Sequence, residues 1–287
     1  MSRDIRIANE DDLPAIQILF EQWGKAFQHS IDDQEYVAAV EGKIVGALRL
    51  SFENSVFILR GLYIDEKHRG CGLARELLNL AHNELGIAEA YCLCPRSLQA
   101  PFVEIGFQQI AGLTAPSFLT DRRDRLRESN GDVILMRRSA GIEVRPITVD
   151  DLAAAMKLIQ EFGLAEVDGL SSNDVRSIYS KIRSNGGAVV GAFRGKEMVG
   201  TCTINVCANL SWSGRPYGII ENFIVTKSER DKGIGKYLLL FSTHFSASKN
   251  CYKVALMTRD NTEAAAMLYS SAGFSDDKVG YQIRFGA

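Results

Sequence analysis

Two short glycine-rich stretches carry the most chemistry in this chain. In the second, Ile224-Val225 ends an apolar run and Lys236-Tyr237-Leu238 opens a helical one, with Arg230-Asp231-Lys232-Gly233-Ile234-Gly235 between them. Glycine lacks a Cβ, so consecutive backbone amides there can converge on one point. A helix N-terminus adds unpaired N–H groups and the positive end of its dipole. Such a concavity suits a phosphate or pyrophosphate, and Arg230 can add a charge-assisted contact. No Gly-Lys-Ser/Thr ends the stretch, so it is not a Walker loop, nor is it the Gly-x-Gly-x-x-Gly of a parallel dinucleotide fold. Taken alone, it is better explained by a tight strand-to-helix turn. It is not alone: Arg69-Gly70-Cys71-Gly72-Leu73-Ala74 repeats it after Ile64, at an offset of 161 residues.

The elements around the loops repeat as well. Ile5-Arg6-Ile7…Asp11-Asp12-Leu13 matches Val144-Arg145-Pro146…Asp150-Asp151-Leu152 at an offset of 139, and Ile105-Gly106-Phe107 matches Ala272-Gly273-Phe274 at 167. Three matches in one order, with a slowly growing offset, indicate two copies of one domain, 1–140 and 141–287, the second with 22 extra residues before its loop. Each copy opens with a short alternating strand, and Asp-Asp-Leu starts an amphipathic helix whose acidic first turn suits the dipole. A hairpin follows, Tyr36–Val40 with Ile44–Leu50, or Ala188–Phe193 with Met198–Val206. A fourth strand (Phe57–Ile64; Gly218–Val225) leads into the loop and a long helix. A further strand, a helix and a last strand (Val133–Met136; Tyr281–Phe285) close each copy. The expected fold class is α+β, a mixed α/β arrangement with a twisted sheet of about six to seven strands per copy, flanked by helices.

Composition bounds the function. The chain has 287 residues, 46% apolar and 24% charged, with a net charge of −2. That is a globular balance, with no global argument for nucleic acid or an anionic membrane. The run Asp121-Arg122-Arg123-Asp124-Arg125-Leu126-Arg127-Glu128 mixes both signs without interleaved aromatics, and reads as a solvated loop or partner contact rather than a nucleic-acid contact. No apolar run is long enough to span a bilayer. The opening Met-Ser-Arg-Asp-Ile-Arg-Ile has charges where an export signal needs an apolar core, so a cytoplasmic location is expected. The six cysteines include no Cys-x-x-Cys pair and no zinc spacing with the four histidines, so they read as buried reduced thiols, and no metal is expected.

The phrase Glu221-Asn222-Phe223-Ile224-Val225-Thr226, then Arg230 to Gly235, then Met267-Leu268-Tyr269-Ser270-Ser271-Ala272-Gly273-Phe274, resembles the GNAT N-acetyltransferase superfamily nearly end to end. The resemblance covers both halves. It implies an enzyme that moves an acetyl group from acetyl-CoA to an amine by direct attack in a ternary complex. It also implies a sheet split after strand four by a bulge, with the pantetheine arm in the split against the backbone of Ile224 and Val225. In the second copy it assigns Glu221 as base, Tyr269 as acid and the Val225 N–H as oxyanion donor. Asp231, Lys232, Gly233, Ile234, Gly235 and Lys236 join Arg230 around the pyrophosphate, and Asn261 holds the pantetheine.

The first copy departs from that pattern. Glu221 corresponds to Arg60, Tyr269 to Phe102 and Asn261 to Cys94. Phenylalanine cannot give a proton and arginine is no base at neutral pH. Ile64, Arg69, Gly70, Cys71, Gly72, Leu73 and Ala74 still form a coenzyme loop. The first copy therefore reads as degenerate with a retained coenzyme loop, and the second as catalytic. Arg60 reads as a surface or interdomain ion-pair residue, His68 as an exposed loop residue and His244 as helix surface. Tyr269 and Glu221 also have plain readings, as a core aromatic and a paired strand carboxylate. The expected acceptor is a small primary amine, with the extra residues and Glu166–Asp174 as a lid, in a monomer or homodimer. Acetylation of a protein lysine or N-terminus, and a coenzyme-binding sensor without turnover, are the competing classes.

Overall fold

The computed structural model describes residues 2–30, 33–161, 170–258, 262–278 and 280–283. Two compact units divide the chain, Met1–Gly141 and Ile142–Ala287.

Unit 1 runs β1 (Arg3–Ile7), α1 (Leu13–Gln22), β2 (Gln34–Val40), β3 (Lys43–Glu53), β4 (Val56–Ile64), α2 (Leu73–Leu85), β5 (Ala90–Pro95), α3 (Ala100–Glu104), β6 (Gln108–Gln109), α4 (Ser117–Asn130) and β7 (Val133–Arg138). Its seven strands form one mixed sheet, ordered β1-β2-β3-β4-β5-β7-β6. Only β4 and β5 run parallel, joined across the loop and α2. Helix α1 packs Ile16, Leu19 and Phe20 on Val37 and Ala47 of one face. The second Asp of the Asp-Asp-Leu motif does more than suit a dipole. Asp12 accepts from the backbone N–H of Asn9 at 2.8 Å and from Arg6 Nη2 at 2.9 Å, tying helix start to strand β1.

Unit 2 runs β8 (Glu143–Pro146), α5 (Leu152–Glu161), α6 (Ser172–Ser184), β9 (Ala188–Arg194), β10 (Glu197–Cys207), β11 (Tyr217–Val225), α7 (Ile234–Ser248), β12 (Val254–Leu256) and α8 (Glu263–Ser271). The sheet order is β8-β9-β10-β11-β12, again with one parallel pair, β11 and β12. Asp151 repeats the Asp12 tie, accepting from Thr148 N–H and from Arg145 Nη1, each at 2.8 Å. Part of the 22-residue excess forms α6, which unit 1 lacks. Leu152, Ala155 and Leu158 of α5 and Tyr179 of α6 pack on Val189, Phe193, Met198 and Ile224. Helix α7 lies on the opposite face: a Cβ at Gly200 would meet Leu238 at 3.0 Å, and Cys202 Sγ lies 3.3 Å from Ser242 Oγ.

Several expectations change. The sheet of unit 2 has five strands among the described residues, and residues 281–283 carry no strand. In unit 1 all six residues of β5 pair with β7, whereas β12 is three residues long and gives the closing segment half that partner. Residues 121–128 belong to α4 rather than a loop; Gly131, at φ 78°, stops the helix, and Leu119 is buried beneath it. His244 is buried rather than on a helix surface, because α7 is covered along most of its circumference. Cys71 is exposed, unlike the buried Cys92, Cys94, Cys202 and Cys251. Asn261 and residues 166–169 of the expected lid lie outside the described residues; the rest of that stretch, 170–174, leads into and opens α6.

Candidate active site

The site begins with an irregularity in β11. Thr201 pairs with Ile224 and Thr203 with Glu221, so two steps on β10 oppose three on β11. The extra residue is a β-bulge, and Asn222 takes it up in the left-handed region, at φ 51°. Asparagine tolerates that conformation better than most residues. Parallel pairing of β11 with β12 covers only Gly218–Ile220, before the bulge. From Glu221 to Val225 that edge of β11 has no strand beside it among the described residues, and the sheet is split. Unit 1 is built alike. Ala47 pairs with Tyr63 and Arg49 with Arg60, Gly61 sits at φ 65°, and β4 meets β5 only over Phe57–Leu59.

The bulge also re-aims side chains. In a regular strand Glu221 and Phe223 would share a face. Here Glu221 lies opposite Thr203, on the face that carries Ile224, α5 and α6. Phe223 instead reaches the α7 side, where its ring approaches Tyr269 of α8 at 6.4 Å between centroids. A Cβ on Gly235 would meet Leu268 at 3.3 Å and Phe223 at 3.5 Å, so Gly235 lets α8 close on the start of α7. Tyr269, half-buried, also packs edge-on against Phe274 at 6.5 Å. Glu221 and Tyr269 thus come to the split from opposite faces of the sheet. Phe223 and Asn222 escape a motif reading; the signal available was that Asn222 matches Gly61 at the loop offset of 161.

Backbone polarity at the split follows from register. Thr226 N–H donates to Val199 O at 2.9 Å, which makes that a hydrogen-bonded pair. The adjacent pair, Val225 with Gly200, is then a non-hydrogen-bonded one, and the Val225 N–H and C=O turn away from β10 toward the open edge. Arg230 Nε donates to the Val225 C=O at 3.2 Å. Arg69 Nε donates likewise to Ile64 O at 3.2 Å, after Asp65 N–H has bonded Val45 O at 2.7 Å. The loop arginine of each unit therefore clamps the end of the split strand, a role its expected phosphate contact did not include.

The loops share their backbone. Asp231 and Gly233 have φ of 60° and 82°, and Gly70 and Gly72 have 76° and 92°. Gly233 caps α7 and Gly72 caps α2, leaving each helix N-terminus to ligand or water. The electrostatics differ. Residues 227–237 hold four cations and two acids, net +2, while the equivalent 66–76 hold three and two, net +1. In unit 1 the loop is also internally engaged: Arg3 Nη1 donates to the Cys71 carbonyl at 3.1 Å and to Glu76 of the first helical turn at 2.9 Å. In unit 2, Lys232 faces Glu229 at 3.4 Å and Glu229 accepts from Arg194 at 2.7 Å. Ile234 is buried, as is its counterpart Leu73, so these anchor the helix while Lys236 and Ala74 follow in its first turn. His68 Nδ1 lies 3.3 Å from Asp65.

Unit 1 has no counterpart of the acid. Phe102, buried on α3, packs against Phe107 at 6.0 Å. Arg60 is ion-paired within unit 1. Its Nε donates to Ser51 at 2.7 Å and its guanidinium lies 3.2 Å from Glu53 and 3.6 Å from Asp33, all within unit 1. One set of possible metal ligands is present among the described residues: His29, Asp33 and Glu35, whose donor atoms lie within 4.8 Å of one another. Arg49 already sits 2.5 Å from Glu35 and 3.2 Å from Asp33, so the carboxylate charge is met by guanidinium. No described helix is long and apolar enough to cross a membrane.

Residues 154–274 match the profile of the acetyltransferase (GNAT) family, and residues 32–109 match that of an acetyltransferase (GNAT) domain. A glucosamine 6-phosphate N-acetyltransferase of Trypanosoma brucei brucei is 30% identical over 136 residues, which span 46% of this chain and 88% of that protein. Among solved structures, a Trypanosoma brucei acetyltransferase aligns with 27% identity and a TM-score of 0.45, over 50% of this chain and 99% of its own. An aminoglycoside acetyltransferase from an uncultured soil metagenomic sample aligns with 17% identity and a TM-score of 0.45, over 51% and 97%. With one profile matched in each unit, the chain belongs to the GNAT family of acetyl-CoA-dependent N-acetyltransferases.

Proposed function

We propose that unit 2 transfers the acetyl group of acetyl-CoA to the primary amine of a small molecule, by direct attack in a ternary complex, and that unit 1 is a catalytically degenerate copy. The observation that carries this reading is the split at Asn222, which turns the Val225 N–H to the open edge and brings Glu221 and Tyr269 to it from opposite faces. The residues fit the carrier: a left-handed glycine cap, a net +2 turn and an unpaired strand edge match a pyrophosphate followed by an amide-bearing arm. The carrier supplies an acyl thioester. Most amines are ammonium at neutral pH, so attack needs a base. Glu221, on the α5 and α6 face, accepts that proton, directly or through water. The Val225 N–H donates to the developing oxyanion. Tyr269, on the α8 side, gives its phenolic proton to the departing thiolate. Backbone groups of Ile224 and Val225 align the arm, the Asp231–Lys236 turn takes the pyrophosphate, and Asn261 joins the arm. The named substrate of the trypanosomal relative, an amino sugar phosphate, supports a small amine as acceptor. Cytoplasmic operation, as a monomer or homodimer, goes with this reading.

The test is thiol release from acetyl-CoA with glucosamine 6-phosphate, spermidine, an aminoglycoside, free amino acids and a lysine peptide. Turnover with a small amine and none with the peptide is expected. Turnover with the peptide alone would assign protein acetylation, and none with any acceptor, despite coenzyme binding, a sensor. In the full chain, Gly233→Asp should abolish turnover and Gly72→Asp should leave it, because each puts a carboxylate where its loop would meet a pyrophosphate. The reverse pattern would move the active loop to unit 1.

A further inference from the structure

The loop that joins β10 to β11 breaks a local rule. Gly214 N–H donates to the Ser211 carbonyl at 3.1 Å, and Trp212 and Ser213 between them have φ of 53° and 57°. Positive φ at both central positions of a turn ordinarily calls for Gly, Asn or Asp, and a bulky residue there is strained. The strain does not bury the indole, which is 65% exposed. It holds the ring in place. Asn209 Nδ2 donates to the Ser211 and Arg215 carbonyls at 2.9 and 3.3 Å, and Arg215 Nη2 to the Cys251 carbonyl at 3.1 Å. Tyr252 N–H donates to the Pro216 carbonyl at 2.9 Å. Trp212 then lies flat on Tyr252, the planes 13° apart and the centroids 5.1 Å apart. The Lys253 ammonium stands 5.4 Å from the Tyr252 ring and 5.5 Å from that of Tyr217. Strain of this kind collects where a fold has a use for it. Here it presents one open aromatic face on top of a stack.

Charge narrows the occupant. The segments that carry the stack, 198–220 and 232–259, hold no Asp or Glu. Arg215 spends its donors on backbone carbonyls, Lys249 lies over Phe245 at 5.2 Å and Lys253 over the two tyrosines, so three positive charges stand there without a carboxylate. A parallel stack takes another flat ring, and the cations take anions. A second copy of the chain would set these cations against themselves in a two-fold contact. A pocket on a partner protein receives a projecting side chain, whereas this indole lies down and offers a plane. We propose that the platform binds single-stranded nucleic acid, a base stacking on the open face of Trp212 and neighbouring phosphates meeting Arg215, Lys249 and Lys253. A duplex keeps its base faces inside its own stack. A free nucleotide finds no walls, because residues 210–214 are all exposed. The chain-wide charge of −2 gives no reason to expect this partner; the local charge does. The proposal does not depend on turnover in unit 2.

The chain has two tryptophans, so Trp23→Phe leaves Trp212 as the one indole and its emission as the reporter. The full chain carrying that change is titrated with decauridylate and decaadenylate, beside UMP, AMP, a duplex of the same length and decaglutamate. At least one single strand should quench Trp212 saturably, with its mononucleotide and the duplex roughly tenfold or more weaker. Three phosphate contacts to a single strand give a slope of log K against log salt of about −2, and Lys253→Gln should reduce it by about 0.7. Trp212→Asn suits the left-handed backbone, so the turn survives. Followed by anisotropy of a labelled strand, it should weaken binding by roughly fivefold to a hundredfold, while Trp212→Phe keeps part of the affinity. The proposal is overturned if no strand binds, or if Trp212→Asn leaves binding unchanged. Quenching by decaglutamate as strong as by the strands would overturn it in favour of an acidic protein partner. Dimers of the free chain that Trp212→Asn dissolves would overturn it in favour of a second copy.

Discussion

Replacing Tyr269 with phenylalanine separates the proposed acid from its packing. The ring meets Phe223 at 6.4 Å and Phe274 at 6.5 Å, and phenylalanine keeps both contacts. Among the described residues the hydroxyl has no hydrogen-bond partner, so removing it leaves no protein group unpaired. The unfolding free energy should therefore change by less than about 0.5 kcal/mol. Loss of a general acid slows a proton transfer by roughly 10² to 10⁴, or about 2.7 to 5.4 kcal/mol at about 1.36 kcal/mol per tenfold. Tyr269→Ala, by contrast, also forfeits two aromatic pairs at about 0.5 to 1.5 kcal/mol each, so it should lower stability as well as rate. The assay is thiol release under saturating acetyl-CoA, beside chemical denaturation and a coenzyme titration. For Tyr269→Phe, kcat should fall at least a hundredfold while the denaturation midpoint and the coenzyme Kd stay put. A Tyr269→Phe enzyme within about threefold of the parent rate would refute the reasoning.

Three further outcomes are expected. Asp231 holds a left-handed backbone that unit 1 gives to Gly70, so Asp231→Gly should relieve strain, raise the net charge of residues 227–237 from +2 to +3, and tighten acetyl-CoA binding by roughly twofold to fivefold; weaker binding would contradict the placement of the pyrophosphate. Gly235→Ala puts a methyl 3.3 Å from Leu268 and 3.5 Å from Phe223, and should cut kcat by displacing α8, with stability lowered by about 1 kcal/mol. Burial pushes the Glu35 carboxyl up to about 7 from 4.5, against the pull of Arg49. The folded chain then binds a proton that the unfolded chain has released, so stability falls as pH rises from about 4.5 to 7, by up to about 3 kcal/mol. Denaturation midpoints across that range should show the decline, and Glu35→Gln should flatten it.

What the sequence shows and what it hides divide along physical lines. Strand and helix order is legible because alternation and helical spacing repeat in both copies, and the hairpins at Val40–Lys43 and Arg194–Glu197 fall where glycine turns mark them. The glycine caps at Gly72 and Gly233 are legible because few other residues adopt φ near +80° to +90°. The bulge is only half legible: Gly61 is a natural bulge residue, but its partner Asn222 reads as an ordinary strand polar residue until the register is known. Face assignments beyond the bulge then invert, which is why Phe223 escapes notice beside Tyr269. The Arg49–Glu35–Asp33–Arg60 cluster is hidden for a different reason. Its members stand on three strands and a loop, and no spacing along the chain brings them together. His244 shows a third limit, since helical position gives a face but not how much of the helix is covered.

A crystal structure of the full chain soaked with acetyl-CoA tests the central claim most directly. The account predicts pyrophosphate on the amides of the Asp231–Lys236 turn, the thioester oxygen at the Val225 N–H, and the Tyr269 hydroxyl within hydrogen-bond reach of the sulfur. Acetyl-CoA seated at Arg69–Ala74 with the turn after Thr226 bare, or a sulfur out of reach of Tyr269, would contradict it.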